Sequence, residues 1–445
     1  MIPDRNILAE HLSGMVRCPT VSVEEEEQMD FEPFFRLHQY LKETYPMVHK
    51  TFQREVVGKA GLLYHWKNGK KSEKQPLLLA AHQDVVPPGE EEKWTYPPYE
   101  GKIADGFVWG RGALDCKNSI MGHMEALEAL IKEGFQPDYD IWLAYGYNEE
   151  ISVSSEHPSA KLLVNKLKEK QVRLGVVLDE GGCIVPAKPL GMEGLVANIG
   201  LAEKGYGDFL LYKTGKAGHS ARPYTPSLMS EVARAVVKIE ENPFPYRILP
   251  ELAEQYQLIA PFATGKQHLY EDITNNRKEF FASLGNDPSV TAKFHTTTAM
   301  TMAEGSYRPN VMPDKVSVRI NCRPIPGETI ESASEALREL TEEFGTELLV
   351  LGGRDPSPVT DCHNSQYQCL KETIEELYPE IHVLPSICLG GTDAYYYYDI
   401  SDYVFRFSGE NRVPENGPAH GINERISLGT IRAVPEFIYS YLKNY

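Results

Sequence analysis

Five short stretches hold the residues that could do chemistry. His82 and Asp84 form an H-x-D pair after the apolar run PLLLAA, and Asp115 lies in GRGALDCK. Asn148-Glu149-Glu150 follows DIWLAYGY, Asp179-Glu180-Gly181-Gly182 follows LGVVL, and His420 sits in GPAHGINE. A metal-bound imidazole needs its second ring nitrogen held by a carboxylate, and two residues apart on a strand His82 and Asp84 can face the same way. Each stretch alone has an ordinary explanation: a surface histidine beside a solvated acid, a helix cap at Asp115, a solvated loop at Glu149-Glu150. Adjacent carboxylates at a strand end are nevertheless costly unless a cation separates their roles, one binding metal while its neighbour handles protons. Two histidines and three carboxylates, one able to bridge, are what two borderline divalent ions roughly 3.5 to 4 Å apart require.

The elements that must position these residues are legible from hydrophobic pattern. Pro76 to Ala81, Asp140 to Ala144 and Leu174 to Leu178 have the composition of strands buried on both faces. Between the first two, Asn118 to Glu133 repeats Ile120, Met124, Leu127 and Ile131 at helical spacing, and Gly134 supplies a stop. The alternation predicts a doubly wound, mostly parallel α/β sheet, with the polar residues converging at its carboxyl edge. From about Leu195 the pattern changes: a long strand in GDFLLYKTG, a helix at 227–241, strands near 296–303 and 316–322, and a helix near 332–344. That strand-helix-strand-strand-helix-strand order predicts an inserted α+β, ferredoxin-like unit. The expected division is 1–194 with 356–445 as a metal-binding catalytic domain, and 195–355 as an inserted second domain.

Composition narrows the class. The chain has 445 residues, 42% hydrophobic and 24% charged, in the globular range and too long for one ordinary core. Lys plus Arg number 45 against 63 Asp plus Glu, a formal charge of -18, which argues against a nucleic-acid partner. Seven scattered cysteines without a C-x-x-C spacing signal neither a disulfide framework nor a thiolate zinc knuckle. No stretch reads as a signal peptide or a membrane span, so the expectation is a cytoplasmic protein with no membrane partner. G-x-S-x-G, Walker and H-E-x-x-H motifs are absent, which leaves serine hydrolase, P-loop and thermolysin-like readings without support.

The series HQDVVP, then W-x-x-P-P-Y-x-G-x-I-x-D-G-x-x-W-G-R-G-A-L-D-x-K, then NEE, DEGG and a late histidine resembles the dizinc exopeptidases and deacylases. That family holds aminoacylase, carboxypeptidase S, glutamate carboxypeptidase, acetylornithine deacetylase and succinyl-diaminopimelate desuccinylase. The resemblance covers essentially the whole chain, and the run from His82 to Gly182 looks most like the carboxypeptidase S and N-fatty-acyl amino acid hydrolase branch. It implies that His82, Asp115 and Glu180 hold one zinc and that Asp115, Glu150 and His420 hold the other, with Co2+ or Mn2+ able to substitute. It implies Glu149 as general base and Asp84 as the partner that orients His82. At the fifth ligand the family pattern favours Glu180, with Asp179 still a candidate. Gly218-His219-Ser220 resembles the segment whose histidine reaches into a partner subunit's site and stabilises the oxyanion. Asn310 in RPNVMP and Arg323 in NCRPIPGE resemble the residues that grip a substrate carboxylate. After Gly390-Gly391-Thr392-Asp393 the text departs, with Ala394 and the tyrosines Tyr395 to Tyr398 where relatives commonly carry an arginine or histidine.

The expectation is therefore a dinuclear metallohydrolase that cleaves an amide beside a free carboxylate, in small peptides or N-acyl amino acids, as a homodimer through the inserted domain. Two alternatives share the fold: an N-carbamoyl amino acid hydrolase, and a non-catalytic relative that binds peptide or metal.

Overall fold

A strand covered on both faces must be apolar along its interior, and three central strands meet that condition. Leu77–His82, Ile141–Gly146 and Val176–Asp179 are buried along their whole lengths. In the computed structural model, which describes residues 1–69, 73–153, 155–285 and 287–445, they lie at the centre of a nine-stranded sheet. Leu77–His82 pairs in parallel with Ile141–Gly146 on one side and Val176–Asp179 on the other, and Val404–Arg406 continues the parallel set. Gly61–Trp66 and Gln53–Val57 extend one edge antiparallel. Beyond Val404–Arg406 come Leu195–Glu203 and, parallel to it, His382–Cys388.

Alternate residues of these strands feed two different cores, which makes the sheet doubly wound. Leu77, Leu79, Leu143 and Leu178 pack with Ile120, Met124 and Leu127 of the helix Lys117–Lys132 and with Phe437 and Ile438 of the helix Ala433–Asn444. Leu78, Ala80, Trp142 and Val177 pack on the other face with Leu163 of the helix Ser159–Glu169 and with Tyr397. The helix after Asp115 is thus within a residue of the predicted one, and Gly134 at φ 79° ends it in the left-handed conformation that glycine adopts without strain.

The second sheet has four antiparallel strands in the order Thr297–Glu304, Lys315–Arg323, Tyr206–Thr214, Glu347–Arg354. The helices Leu228–Glu241 and Ile330–Thr341 cover one face through Ala235, Ile239, Ala333 and Leu337. This is the strand-helix-strand-strand-helix-strand unit expected from the pattern, but its limits differ from 195–355 in two ways. Leu195–Glu203 belongs to the large sheet, wedged between Val404–Arg406 and His382–Cys388, so the change of sheet falls just after Glu203. The helical stretch from Pro250 to Thr291 also leaves the small sheet: Leu252, Tyr256, Ile259 and Phe280 form a core with Ala202, Leu384 and Ile387. Both differences have one cause, the burial of apolar residues against the strand His382–Cys388, more than 100 residues further along the chain, which local pattern does not contain. Among the described residues no helix is long and apolar enough to cross a membrane.

Candidate active site

The carboxyl ends of the central strands deliver the polar residues to one cleft of about 470 Å³, lined by Asp115, Glu149, Glu150, Glu180, Arg323 and His420 among others. His82 ends the strand Leu77–His82 and is buried beneath the cleft. Its Nδ1 lies 3.0 Å from the Asp84 backbone oxygen and 3.3 Å from the Asp84 carboxylate. That contact directs Nε2 at the Asp115 and Glu180 carboxylates, each 3.0 Å away. Asp84 is fully buried and also accepts the backbone N–H groups of Glu149 (3.0 Å) and Glu150 (3.1 Å) and the Ser22 hydroxyl (2.7 Å). Its hydrogen bonds, chiefly with His82, overcome burial and hold its pKa below the ordinary value.

On the other side of Asp115, His420 Nε2 lies 3.1 Å from Asp115 Oδ2 and 2.9 Å from Glu150 Oε2. His420 sits at φ 61°, a left-handed conformation that a non-glycine residue adopts at some cost. Asp115 therefore presents one oxygen to each imidazole. Each ring nitrogen can hold one proton yet faces two carboxylates, so one hydrogen bond cannot satisfy both, whereas a cation can. Bonds of about 2.1 Å at roughly right angles put ligand atoms of one ion about 3 Å apart, the separation found here. The donor sets His82, Asp115, Glu180 and Asp115, Glu150, His420 thus fit two divalent ions sharing Asp115.

The electrostatics point the same way. Burial, reinforced by Asp115, pushes the Glu180 carboxyl up to about 6. His420 is raised to about 10 by its hydrogen bonds to Asp115 and Glu150. Burial lowers the His82 pKa, but Cys116, Glu180, Asp115 and Asp84 together hold it well above the ordinary imidazole range. Burial holds the Glu149 carboxyl well above the carboxylate range, with Asp393, Glu150 and Glu180 adding to it. A cluster with this excess of buried negative charge calls for cations.

Between the two neighbouring acids at the fifth position, it is Glu180 that reaches His82. Asp179 turns away, accepting the Glu180 N–H at 2.9 Å while its other oxygen has no partner. Cys116 Sγ accepts the His82 N–H at 3.2 Å, a structural contact under the cluster. Another grouping, Glu254, Cys362 and His363, lies outside the cleft, and its members hydrogen-bond one another.

Arg323 reaches the cleft from the second sheet, its Nε donating to Asn321 Oδ1 at 2.9 Å and its guanidinium 4.6 Å from the Tyr206 ring centre. His219 and Asn310 do not line this cleft. They lie side by side on the second unit, His219 paired with Val311 and the Ser220 N–H donating to Asn310 O at 3.2 Å, and both are exposed.

Arg354 is among the cleft residues that escaped the sequence reading. It is almost buried in the wall, forms an ion pair with Glu203 (Nη2 to Oε1, 3.0 Å), and leaves Nε and Nη1 without hydrogen-bond partners. Tyr395 and Tyr396 stack against it at 4.8 and 5.9 Å. Tyr397 instead joins the core, and Tyr398 receives a hydrogen bond from Arg406 at 3.2 Å. Gly391 leaves room for Arg354, since a Cβ there would come within 1.9 Å of Arg354 Nη2.

The family model described as peptidase family M20/M25/M40 matches residues 78–444. The chain is 31% identical to the N-fatty-acyl-amino acid synthase/hydrolase of Mus musculus, over 99% of this chain and 88% of that one. It is 29% identical to carboxypeptidase S of Saccharomyces cerevisiae, over 99% of this chain and 84% of that one. An M20 family metallo-carboxypeptidase from Sulfolobus solfataricus superposes with a TM-score of 0.72 at 18% identity, over 98% of both chains. With the family model spanning most of the sequence, from the strand that ends in His82 to the last helix, the chain belongs to peptidase family M20/M25/M40.

Proposed function

We propose that this hydrolase uses two divalent ions, zinc in the first instance, to cleave an amide bond next to a free carboxylate. The observation that carries the reading is Asp115, one oxygen facing each imidazole, with Glu149, Arg323 and Arg354 in the same cleft. Bound there, the ions would supply Lewis acidity toward the scissile carbonyl and toward water. The chain's own residues do the rest. Asp84 orients His82 and, through the backbone of Glu149 and Glu150, spaces the base against the ligands. Glu149 takes the proton of the attacking water and returns it to the departing amine, so no covalent intermediate is needed. Arg354 and Arg323 receive the substrate's free carboxylate, for which the planar guanidinium is suited.

The substrates that fit are small peptides cleaved at their last bond and N-acyl amino acids, the classes in which the two curated relatives above are named. The exposed positions of His219 and Asn310 support a homodimer in which each chain's pair completes the partner's cleft. All seven cysteines are free, which suits a reducing, cytoplasmic setting. The test is a panel of dipeptides, N-acyl and N-carbamoyl amino acids, each with its carboxamide counterpart, run with the zinc- or cobalt-loaded protein alongside metal analysis. Turnover of free acids at two ions per chain is the expected result. Full activity with one ion per chain, or none, refutes the dinuclear reading.

A further inference from the structure

The loop that carries Asp115 and the loop that carries His420 come from opposite ends of the sequence, yet both must be placed to within a fraction of an ångström for the two to share a cation. A buried ion pair joins them. Glu424 is fully buried, and its Oε1 accepts the backbone N–H groups of Leu114 (2.8 Å) and Asp115 (3.2 Å). Its Oε2 accepts Arg111 Nη1 at 2.6 Å. Arg111, 2% exposed, uses Nη2 to hold the backbone oxygen of His420 at 3.1 Å, with Pro87 O at 3.4 Å. Its guanidinium lies 5.3 Å from the Trp94 ring centre, and the Gly110 N–H returns to Glu424 O at 2.9 Å. One carboxylate thus grips the backbone on both sides of the Leu114-Asp115 peptide, and the arginine it pairs with grips the left-handed His420 by its carbonyl.

We propose that the Arg111–Glu424 pair is the positioning element of the cation site formed by Asp115, Glu150 and His420. This rests on the dinuclear reading above. The two residues do not touch the ion or the substrate; they fix the separation of Asp115 and His420. The His82 side depends on them less, because His82 is anchored independently by Asp84 and by its own strand. Buried ion pairs are weak devices for stability but can serve as devices for geometry, and residues that orient metal ligands change metal affinity when altered.

The experiment titrates metal-free protein with Zn2+ and, separately, Co2+, following heat and the cobalt visible spectrum. Wild type takes up two ions. Glu424→Gln keeps an acceptor for the two N–H groups but turns an amide toward Arg111, and Arg111→Lys keeps the charge but cannot hold Glu424 and His420 O together. Each should leave the first ion nearly unchanged and weaken the second by about tenfold or more, the direction also expected of His420→Ala. The double variant should be no worse than the more affected single one, since the pair acts as a unit. A wild type that binds one ion refutes the dinuclear reading itself. Two ions in the wild type, with either both affinities intact or both lost in parallel in the variants, refute the positioning role alone. If Glu424→Gln does not fold, Arg111→Lys decides by the same criterion.

Discussion

Replacing Arg354 by methionine separates substrate recognition from everything else in the cleft. In the free enzyme the guanidinium spends one nitrogen on Glu203, while Nε and Nη1 have no partner. Unmet N–H groups in a pocket wall are costly until a ligand accepts them, so their removal should weaken the substrate complex and leave the fold intact. Glu203 keeps Arg406 Nε at 2.8 Å and the Thr392 N–H and hydroxyl at 3.1 and 3.0 Å, so its buried charge stays compensated. A charge-assisted hydrogen bond contributes at least about 1.5 kcal/mol. Two of them give about 3 kcal/mol, or roughly 150-fold in kcat/KM. The assay compares each free acid with its carboxamide in Arg354→Met and wild type, with thermal unfolding as the control. The acid should lose that factor and the amide little, with Arg354→Lys between the two. Arg323→Ala should lose less, because its Nε already serves Asn321 and its plane already stacks on Tyr206. An equal loss on acid and amide, or a loss on the acid below about threefold, well under the one-bond minimum, would show that Arg354 does not receive the carboxylate.

Three other outcomes are expected. Glu149→Gln should keep its metal and lose about 10² or more in kcat, as for a missing general base, whereas Glu150→Ala should lose metal; equal metal loss in both would reverse the roles within the pair. Subunits of His219→Ala and Glu149→Gln, each nearly inactive alone, should recover a fraction of wild-type activity when exchanged into mixed dimers, and no recovery refutes the shared cleft. His123, buried at 3% exposure, has its pKa pulled down to about 3 by desolvation, so the unfolded chain binds a proton below pH 6.5 that the folded chain refuses. Its contribution is therefore present above pH 6.5 and fades as pH falls toward 3; between pH 7 and 5 the loss is about 2 kcal/mol, nearly the same for any folded pKa well below 5. Urea titrations of His123→Leu and wild type should differ in pH slope by that amount, and parallel slopes would mean that His123 protonates in place.

Legibility in the sequence tracked distance along the chain. The strands ending in His82, Gly146 and Asp179 are buried along their whole lengths and apolar up to their last residues, and the polar groups at and after those ends announce the edge on which they meet. Polar residues at such ends are few, so five stretches sufficed to define a cluster. The choice between Asp179 and Glu180 was a matter of which neighbour turns inward, and that depends on the packing of Gly181 and Gly182 against Arg406 and Asn198. Arg354 was invisible because nothing in GGRDP marks it; its role arises from Glu203, Tyr395 and Tyr396, which only the fold brings beside it. The limits of the inserted unit lay out of reach of local pattern for the same reason, since Leu195–Glu203 finds its parallel neighbour at His382–Cys388.

Asp84 gives the cleft a single point of reference. One carboxylate faces the imidazole of His82, accepts the backbone of Glu149 and that of Glu150, and is itself steadied by Ser22. A thermal shift of the strand Leu77–His82 relative to Ile141–Gly146 would, with separate supports, alter the gap between Glu149 and the residues proposed to hold the cations. Tied to the same two oxygens, they move together, and the error in their relative position stays smaller than the error in either position. The arrangement has a converse for laboratory evolution. Changes near Asp84 will tend to alter ion affinity and proton transfer in concert, so variants that tune one without the other should be sought at the rim, on the guanidinium side of the cleft.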